Sequence, residues 1–179
     1  MRLDKFDRGS FDRGASKVKE VGWIIFSELL VSSWIPGTWW RKAILVVFGA
    51  QIGPGVVLKP KLRIKFPWRL KIGTSSWIGE GVWIDNLAQV SIGSNACISQ
   101  EAYLCTGSHD WSRETFDLVT LSIIIEDFCW VGARAILAPG SHMGEGAILT
   151  LGGIGSGTIS PWTVTSGKSM SGYVRRKST

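Results

Sequence analysis

A six-residue recurrence of aliphatic side chains limits this chain more than any other feature. Ile72, Ile78 and Ile84 each open a block of six; Ile92, Ile98 and Leu104 do so again after the pair Val90-Ser91. The pattern resumes at Ile125, Val131, Leu137 and Met143, continues more weakly at Leu149, and is foreshadowed by Ile52 and Leu58. The fifth residues of the first six blocks, Ser76, Val82, Ala88, Ala96, Ala102 and Ser108, are all small or β-branched. A period of six fits neither a 3.6-residue helix nor a simple alternating strand, but it suits short strands joined by corners around a prism. The first residue of each block then points inward, the fifth lies where the interior narrows, and a glycine in second place permits close backbone approach. Three blocks make one triangular coil, and coils stack at about the 4.8 Å spacing of a parallel sheet. The expected fold is therefore all-β, a parallel β-helix. Periodicity leaves its hand open, and general crossover rules favour the right-handed form.

Composition agrees. Glycine contributes 22 of 179 residues, well above the roughly 7% average, without collagen's every-third-residue period, as a chain with many tight corners requires. The length suits one domain with a real core. A formal charge of +6 favours anionic partners such as phosphates or a lipid surface, with nucleic acid not favoured. Cys97, Cys105 and Cys129 form no CxxC pair and leave an odd number, which argues against a disulfide framework and fits a reducing, cytoplasmic compartment.

The most apolar segment, Val21 to Pro36, is interrupted by Glu28 and falls short of the roughly 20 residues needed to span a bilayer. The leader before it contains acidic residues unsuited to a signal peptide. From Val18 to Trp34, the bulky residues Trp23, Phe26, Leu30 and Trp34 recur at helical spacing, and Pro36-Gly37 ends the segment. Two readings stand: a helix packed on the first coil or a neighbouring subunit, or an interfacial membrane contact. Lys59, Lys61, Arg63 and Lys65 alternate with apolar residues, so an extended strand would place all four charges on one face, extended by Arg69 and Lys71. That face is either solvated or docks to anionic lipid or a lipid-pyrophosphate-linked sugar. The expected organisation is a tail and amphipathic helical segment over 1–47, a β-helix over 48–166 with an inserted loop at 110–124, and a basic tail over 167–179.

The hexads break after Thr106-Gly107-Ser108-His109. Loops leaving a rigid scaffold are favoured places for chemistry, and an imidazole accepts a proton at neutral pH. Asp110 or a backbone carbonyl would fix its tautomer. His109 is thus a candidate general base, the other reading being an ordinary surface histidine. His142, in sixth place of an uninterrupted hexad, reads as a corner or surface residue. Cys105 and His109 lack a third ligand and a helical spacing that would present them together, so no metal site is expected.

The segment Thr106 to Asp110, followed by Trp130-Val131-Gly132-Ala133-Arg134-Ala135-Ile136-Leu137, resembles the hexapeptide-repeat acyltransferases. The stretches FGAQIGPGVVLKP, RIKFPWRLKIG and WIGEGVWIDNLAQVSIG resemble their colanic-acid and exopolysaccharide branch of sugar O-acetyltransferases. The resemblance implies a left-handed β-helix, a homotrimer with sites between subunits, acetyl coenzyme A as acyl donor and a sugar or lipid-linked sugar as acceptor. It implies that His109 is the base and that the backbone N–H of Ala133 stabilises the oxyanion. Trp130 would lie beside acceptor and pantetheine, its other reading being a cap on the core. Asn86, with Asp85 and Asp110 as further candidates, would contact the acceptor; a corner role for Asn86 stands equal.

The coenzyme would approach Gly132, Leu151 and Gly152. Gly155-Ser156-Gly157-Thr158 and Gly167-Lys168-Ser169-Met170 depart from the family's usual V-T-K-D and G-N-P-A, so the usual lysine is absent. Lys168, Arg175 and Arg176 would replace that charge, unless they form only a solvated tail. Transfer to an amine, or a noncatalytic scaffold with a decayed coenzyme site, are the alternatives.

Overall fold

A computed structural model of the chain describes residues 3–6 and 11–166, together with the backbone of Val174–Arg175. The described residues form three parallel sheets that wrap into a left-handed β-helix. The first face carries Gln51–Ile52, Leu70–Ile72, Val90–Ile92, Ile123–Ile125, His142–Met143 and Thr158–Ile159. The second runs from Val57–Leu58 through Trp77–Ile78, Cys97–Ile98, Trp130–Val131 and Ile148–Leu149 to Thr163–Thr165, with Val174–Arg175 added antiparallel. The third holds Arg63–Ile64, Trp83–Asp85, Tyr103–Cys105, Ile136–Leu137 and Ile154–Gly155.

Register explains the hexads. Ile72, Ile92, Ile125, Met143 and Ile159 pair in succession up the first face; Ile64, Ile84, Leu104 and Leu137 do so up the third. All of these side chains are buried, so each column is one edge of a continuous dry core. Second-place glycines are required sterically: a Cβ on Gly73 would lie 2.5 Å from the Gly93 carbonyl carbon of the next coil. At the weak end of the pattern, Gly155 takes an inward position whose space Leu137 already fills, since a Cβ there would lie 2.8 Å from Leu137 Cδ2.

Two fifth positions depart from expectation. Ala88 is half-buried and Ser108 exposed, because Asn86 takes the inner place at one corner and the chain leaves the coil at the other. The break starts at Gly107, earlier than the expected 110. Gly107–His109 pairs antiparallel with Leu118–Thr120, a hairpin standing off the prism.

The N-terminal segment is a two-helix cap. Helix α1 spans Lys17–Phe26, its N-cap Ser16 accepting from Lys19 N. It continues as a π-helical turn over Ser27–Val31, and α2 spans Thr38–Val47. The buried stripe is Trp23, Ser27 and Val31, while Phe26 and Trp34, which share the helical spacing of Trp23 in the sequence, are exposed. The π-turn and the Pro36-Gly37 connector change the angular position of everything after Phe26, so a single 3.6-residue projection fails there. Trp23, Val31 and Leu45 join the core of the coils and close the prism's open end.

Arg41 holds the connector. Its fully buried guanidinium donates to the carbonyls of Val31 (3.2 Å), Gly37 (2.9 Å), Ser33 (2.8 Å) and Ile35 (2.5 Å). Burial draws its pKa below the ordinary arginine value, and four carbonyl acceptors replace the lost water.

The single basic strand face is not present. A corner at Lys61, with φ 59°, divides it; Lys61 pairs with Glu80 at 2.8 Å, Lys65 with Asp85 at 3.0 Å, and Arg63 lies over the Trp83 ring. Among the described residues no helix is long and apolar enough to cross a membrane.

Candidate active site

Leu104 completes its column, and the next residues turn the backbone out of the coil. Thr106 is wholly buried; its hydroxyl donates to Asp85 O (3.0 Å) and accepts from Ala88 N (2.9 Å). Gly107 follows where a Cβ would lie 2.6 Å from Leu87 Cδ1. The excursion closes when Leu121 N donates back to Thr106 O at 2.9 Å. His109 is thereby carried on a short hairpin anchored at both feet.

The histidine is held on three sides. Its Nδ1 lies 2.8 Å from the Phe116 carbonyl oxygen; a carbonyl only accepts, so in the neutral ring Nδ1 carries the proton and Nε2 the lone pair. The Phe116 ring stacks on the imidazole at 4.2 Å and an interplanar angle of 1°, and Phe6 meets it edge-on at 5.5 Å. Phe116 adopts φ 51°, a left-handed conformation rare for a bulky residue. Sequence reasoning misses it, because such a conformation leaves no mark on composition.

The backbone carbonyl, not Asp110, fixes the tautomer. Asp110 Oδ1 accepts from Ser112 N (3.0 Å) and Ser112 Oγ (2.5 Å), closing a local turn. The Ser112 hydroxyl first, then the Ser112 N–H, hold its carboxyl below the usual carboxylate range.

His109 lines a cavity of about 460 Å³ with Phe6, Phe11, Arg13, Lys65 and Phe66 among its walls. Phe6, Phe11 and Arg13 come from the leader. Trp68 Nε1 donates to Arg13 O at 2.8 Å, Arg69 donates to Asp12 O and Leu87 O, and Lys5 pairs with Glu114 at 3.0 Å. From sequence the leader reads only as a charged tail. One available signal is the repetition of Phe-Asp-Arg-Gly at 6–9 and 11–14.

Asn86 does not face an acceptor. It is wholly buried; Oδ1 accepts from Phe66 N (2.9 Å), and Nδ2 donates to Phe66 O (2.7 Å) and Arg69 O (2.9 Å). It pins one coil's corner to the previous one, the turn role rather than acceptor contact. Asp85, half-buried, accepts from the Tyr103 hydroxyl at 3.2 Å and forms an ion pair with Lys65, which also lines the His109 cavity. Burial, then the Cys105 thiol and the Asp85 charge, push the Tyr103 phenol upward.

The expected donor-site residues lie elsewhere. His109, Asp85, Asn86 and Asp110 belong to the corner between third and first faces; Gly132, Ala133, Leu151 and Gly152 stack at the corner between second and third. Gly152 N donates to Ala133 O at 2.9 Å, and a Cβ on Gly132 would lie 2.5 Å from Leu151 N. Among the described residues nothing accepts from the Ala133 N–H.

Trp130 stands outward on the second face, 48% exposed, with Nε1 donating to Ser99 Oγ at 2.8 Å, so it is no cap on the core. One protomer thus separates the two residue groups by the width of its third face. Lys168 and Arg176 lie outside the described residues, as does the side chain of Arg175, whose backbone pairs with Thr163. His142 is a surface residue, its Nε2 2.6 Å from Glu126 Oε1. Among the described residues no three His, Cys, Asp or Glu side chains gather as metal ligands.

No family model matches the chain. Over 140 residues it is 35% identical to the colanic acid biosynthesis acetyltransferase WcaF of Escherichia coli K12, with 76% of each chain covered. A hexapeptide-repeat acetyltransferase of Vibrio cholerae, solved with acetyl coenzyme A, superposes with a TM-score of 0.76 at 17% identity over 90% of each chain. A maltose O-acetyltransferase of Clostridium difficile 630 gives 0.71 at 18% identity, covering 90% of this chain and 88% of that one. At these identities the structural likeness is one of fold.

Proposed function

Because the chain belongs to the colanic acid biosynthesis acetyltransferase family of hexapeptide-repeat proteins, we propose that it transfers an acetyl group from acetyl coenzyme A to a sugar hydroxyl, with His109 as general base. The observation that carries this reading is the Nδ1 contact with Phe116 O, which leaves Nε2 as the proton acceptor in a side chain lining a cavity. The names of the relatives supply the rest: colanic acid synthesis for one, maltose O-acetylation for another, bound acetyl coenzyme A for a third.

The chemistry follows from these positions. A sugar hydroxyl is a weak nucleophile, and Nε2 takes its proton as the oxygen attacks the thioester carbonyl carbon. The carbonyl oxygen becomes an oxyanion that needs a donor; the Ala133 N–H, unused among the described residues, is suited to it. Collapse re-forms the carbonyl, breaks the carbon–sulfur bond and expels the coenzyme thiolate, which recovers the proton from the imidazolium. The products are the acetyl ester and free coenzyme A.

Since His109 and Ala133 occupy different corners of one prism, the reaction requires two subunits. We read the assembly as a homotrimer in which the His109 corner of one copy meets the Ala133 corner of the next. The pantetheine arm then runs past Gly132, Leu151 and Gly152 beside Trp130, and Lys168, Arg175 and Arg176 meet the phosphates. Asp85 and Lys65 edge the acceptor. On this reading the enzyme works in the cytoplasm, where coenzyme A thioesters are available, in surface-glycan synthesis.

Labelled acetyl coenzyme A incubated with sugars and lipid-linked sugars tests the reading. The expected product is labelled and released by mild alkali, as an ester is; an alkali-stable product identifies an amide and an amine acceptor instead. Absence of coenzyme A binding at millimolar concentration by calorimetry overturns the enzymatic reading and leaves a scaffold.

A further inference from the structure

The helical cap carries apolar residues on two opposite sides, and the prism uses only one. Trp23, Ser27 and Val31 face the first coil. Val18, Val21, Ile25 and Leu29, spaced by three and four, form a second stripe that is between 52% and 83% exposed. Trp34 in the connector and Trp39 in the first turn of α2 are likewise 76% and 78% exposed. A helix that only closes a solenoid has a polar outer side, and a contiguous exposed apolar surface of this kind marks an interaction site. We propose that the outer face of the cap docks on an anionic lipid bilayer, its helices lying in the interface.

The charges at the edge of the stripe select lipid. Lys17 is exposed beside Val18. The tryptophan-bearing connector is tied to the corner carrying Lys59 and Lys61, since Thr38 Oγ1 bonds the Leu58 backbone at 3.2 Å and Lys61 N donates to Ser33 O at 3.0 Å. Both lysines are exposed. The acidic groups at this edge are Glu28, Glu80, which is paired with Lys61, and Glu101, which also attracts Lys61 but is itself paired with Arg134. Tryptophan and lysine bordering an apolar stripe match the headgroup region of a bilayer, and the overall charge of +6 has the sign that anionic lipid attracts.

A second copy fits this face less well. In the trimeric reading, on which this point alone rests, subunits meet along the long corners of the prism, whereas the cap closes its end. A threefold axis along the solenoids aims three caps in one direction, at one surface. The cap also adjoins the site: a cavity of about 180 Å³ beside Trp23 and Ile24 shares Arg13, Lys65 and Phe66 with the cavity at His109. That continuity suits an acceptor sugar carried on a lipid.

Sedimentation of the full chain with vesicles of phosphatidylcholine, alone or mixed with phosphatidylglycerol, tests the proposal. Wild type should pellet with the mixed vesicles and be partly released by salt. The doubles Trp34→Ser/Trp39→Ser and Ile25→Ser/Leu29→Ser should each weaken binding about tenfold or more, with oligomeric state and turnover of a soluble acceptor unchanged. No pelleting with either vesicle overturns docking. So does dissociation of the oligomer by these variants with vesicle binding unaltered, which assigns the face to contact between copies. Vesicle binding without acetyl transfer upholds docking while rejecting the catalytic reading.

Discussion

The stacked coils and the hairpin that leaves them are built on opposite terms. In the coils, Ile98, Leu104, Val131 and Leu137 are fully buried, and each strand is bonded to coils above and below. The hairpin of Gly107–His109 and Leu118–Thr120 has no such core; its loop is tied by the Arg113–Asp117 and Lys5–Glu114 pairs and by the stacking of Phe116 on His109. Stability resides in the repeat and the proposed base in its interruption, so a change at that base should leave the coils nearly untouched.

The largest separation is expected at His109. His109→Asn should lower acetyl transfer by about 10²- to 10⁴-fold, the usual contribution of a general base, with an unchanged melting temperature by calorimetry. Full turnover in a folded variant would reject the base assignment. The converse is Leu104→Ala, one column away: a loss of about 2–5 kcal/mol in denaturant unfolding, with activity per folded molecule retained.

Asn86→Ala blurs the comparison, since it lies at the foot of the site yet is wholly buried in the scaffold. Leaving the Phe66 and Arg69 backbone groups unpartnered should cost about 2–4 kcal/mol, with the acceptor KM unchanged. A raised KM with intact stability would restore its acceptor role.

Phe116→Gly relieves the left-handed backbone strain and removes the stacked ring. It should leave stability within about 0.5 kcal/mol but reduce turnover about tenfold and broaden the pH–rate profile, because the imidazole loses its fixed orientation.

The smallest effect belongs to Glu126, which follows the first-face strand Ile123–Ile125. The His142 hydrogen bond, aided by the Glu145 N–H, holds its carboxyl below the ordinary value of 4.5. A depressed carboxyl contributes stability above its unfolded pKa and loses it as pH falls through the folded one. Glu126→Gln should therefore lower the melting temperature slightly at neutral pH, where that contribution is fully present, and flatten the acid limb below about 4.5, where the wild type loses it as well. The pair is exposed, so this shift should be slight.

How much of this is legible from sequence differs by region for the same reason. Each coil repeats one local environment, so the inward columns can be read from spacing without knowing any long-range contact. Asn86 sits in a hexad yet cannot be assigned from it, because acceptor contact and corner pinning ask for the same side chain at the same place. Only the position of Phe66 and Arg69 one coil earlier decides between them. The leader residues Phe6 and Phe11 and the division of His109 and Ala133 between two corners depend on contacts distant in sequence or on prism geometry, and the Phe116 carbonyl, seven residues from His109, on a left-handed turn of the hairpin loop.

The sequence by itself determined the solenoid, the place where it breaks to within three residues, and the histidine at the break, because a short period acts locally on every repeat. Tertiary structure decided what surrounds that histidine, which faces of the cap remain uncovered, and that one protomer holds its proposed base and its oxyanion donor a full face apart. Those outcomes follow from where the corners of a closed prism point in space, and a one-dimensional period does not encode that.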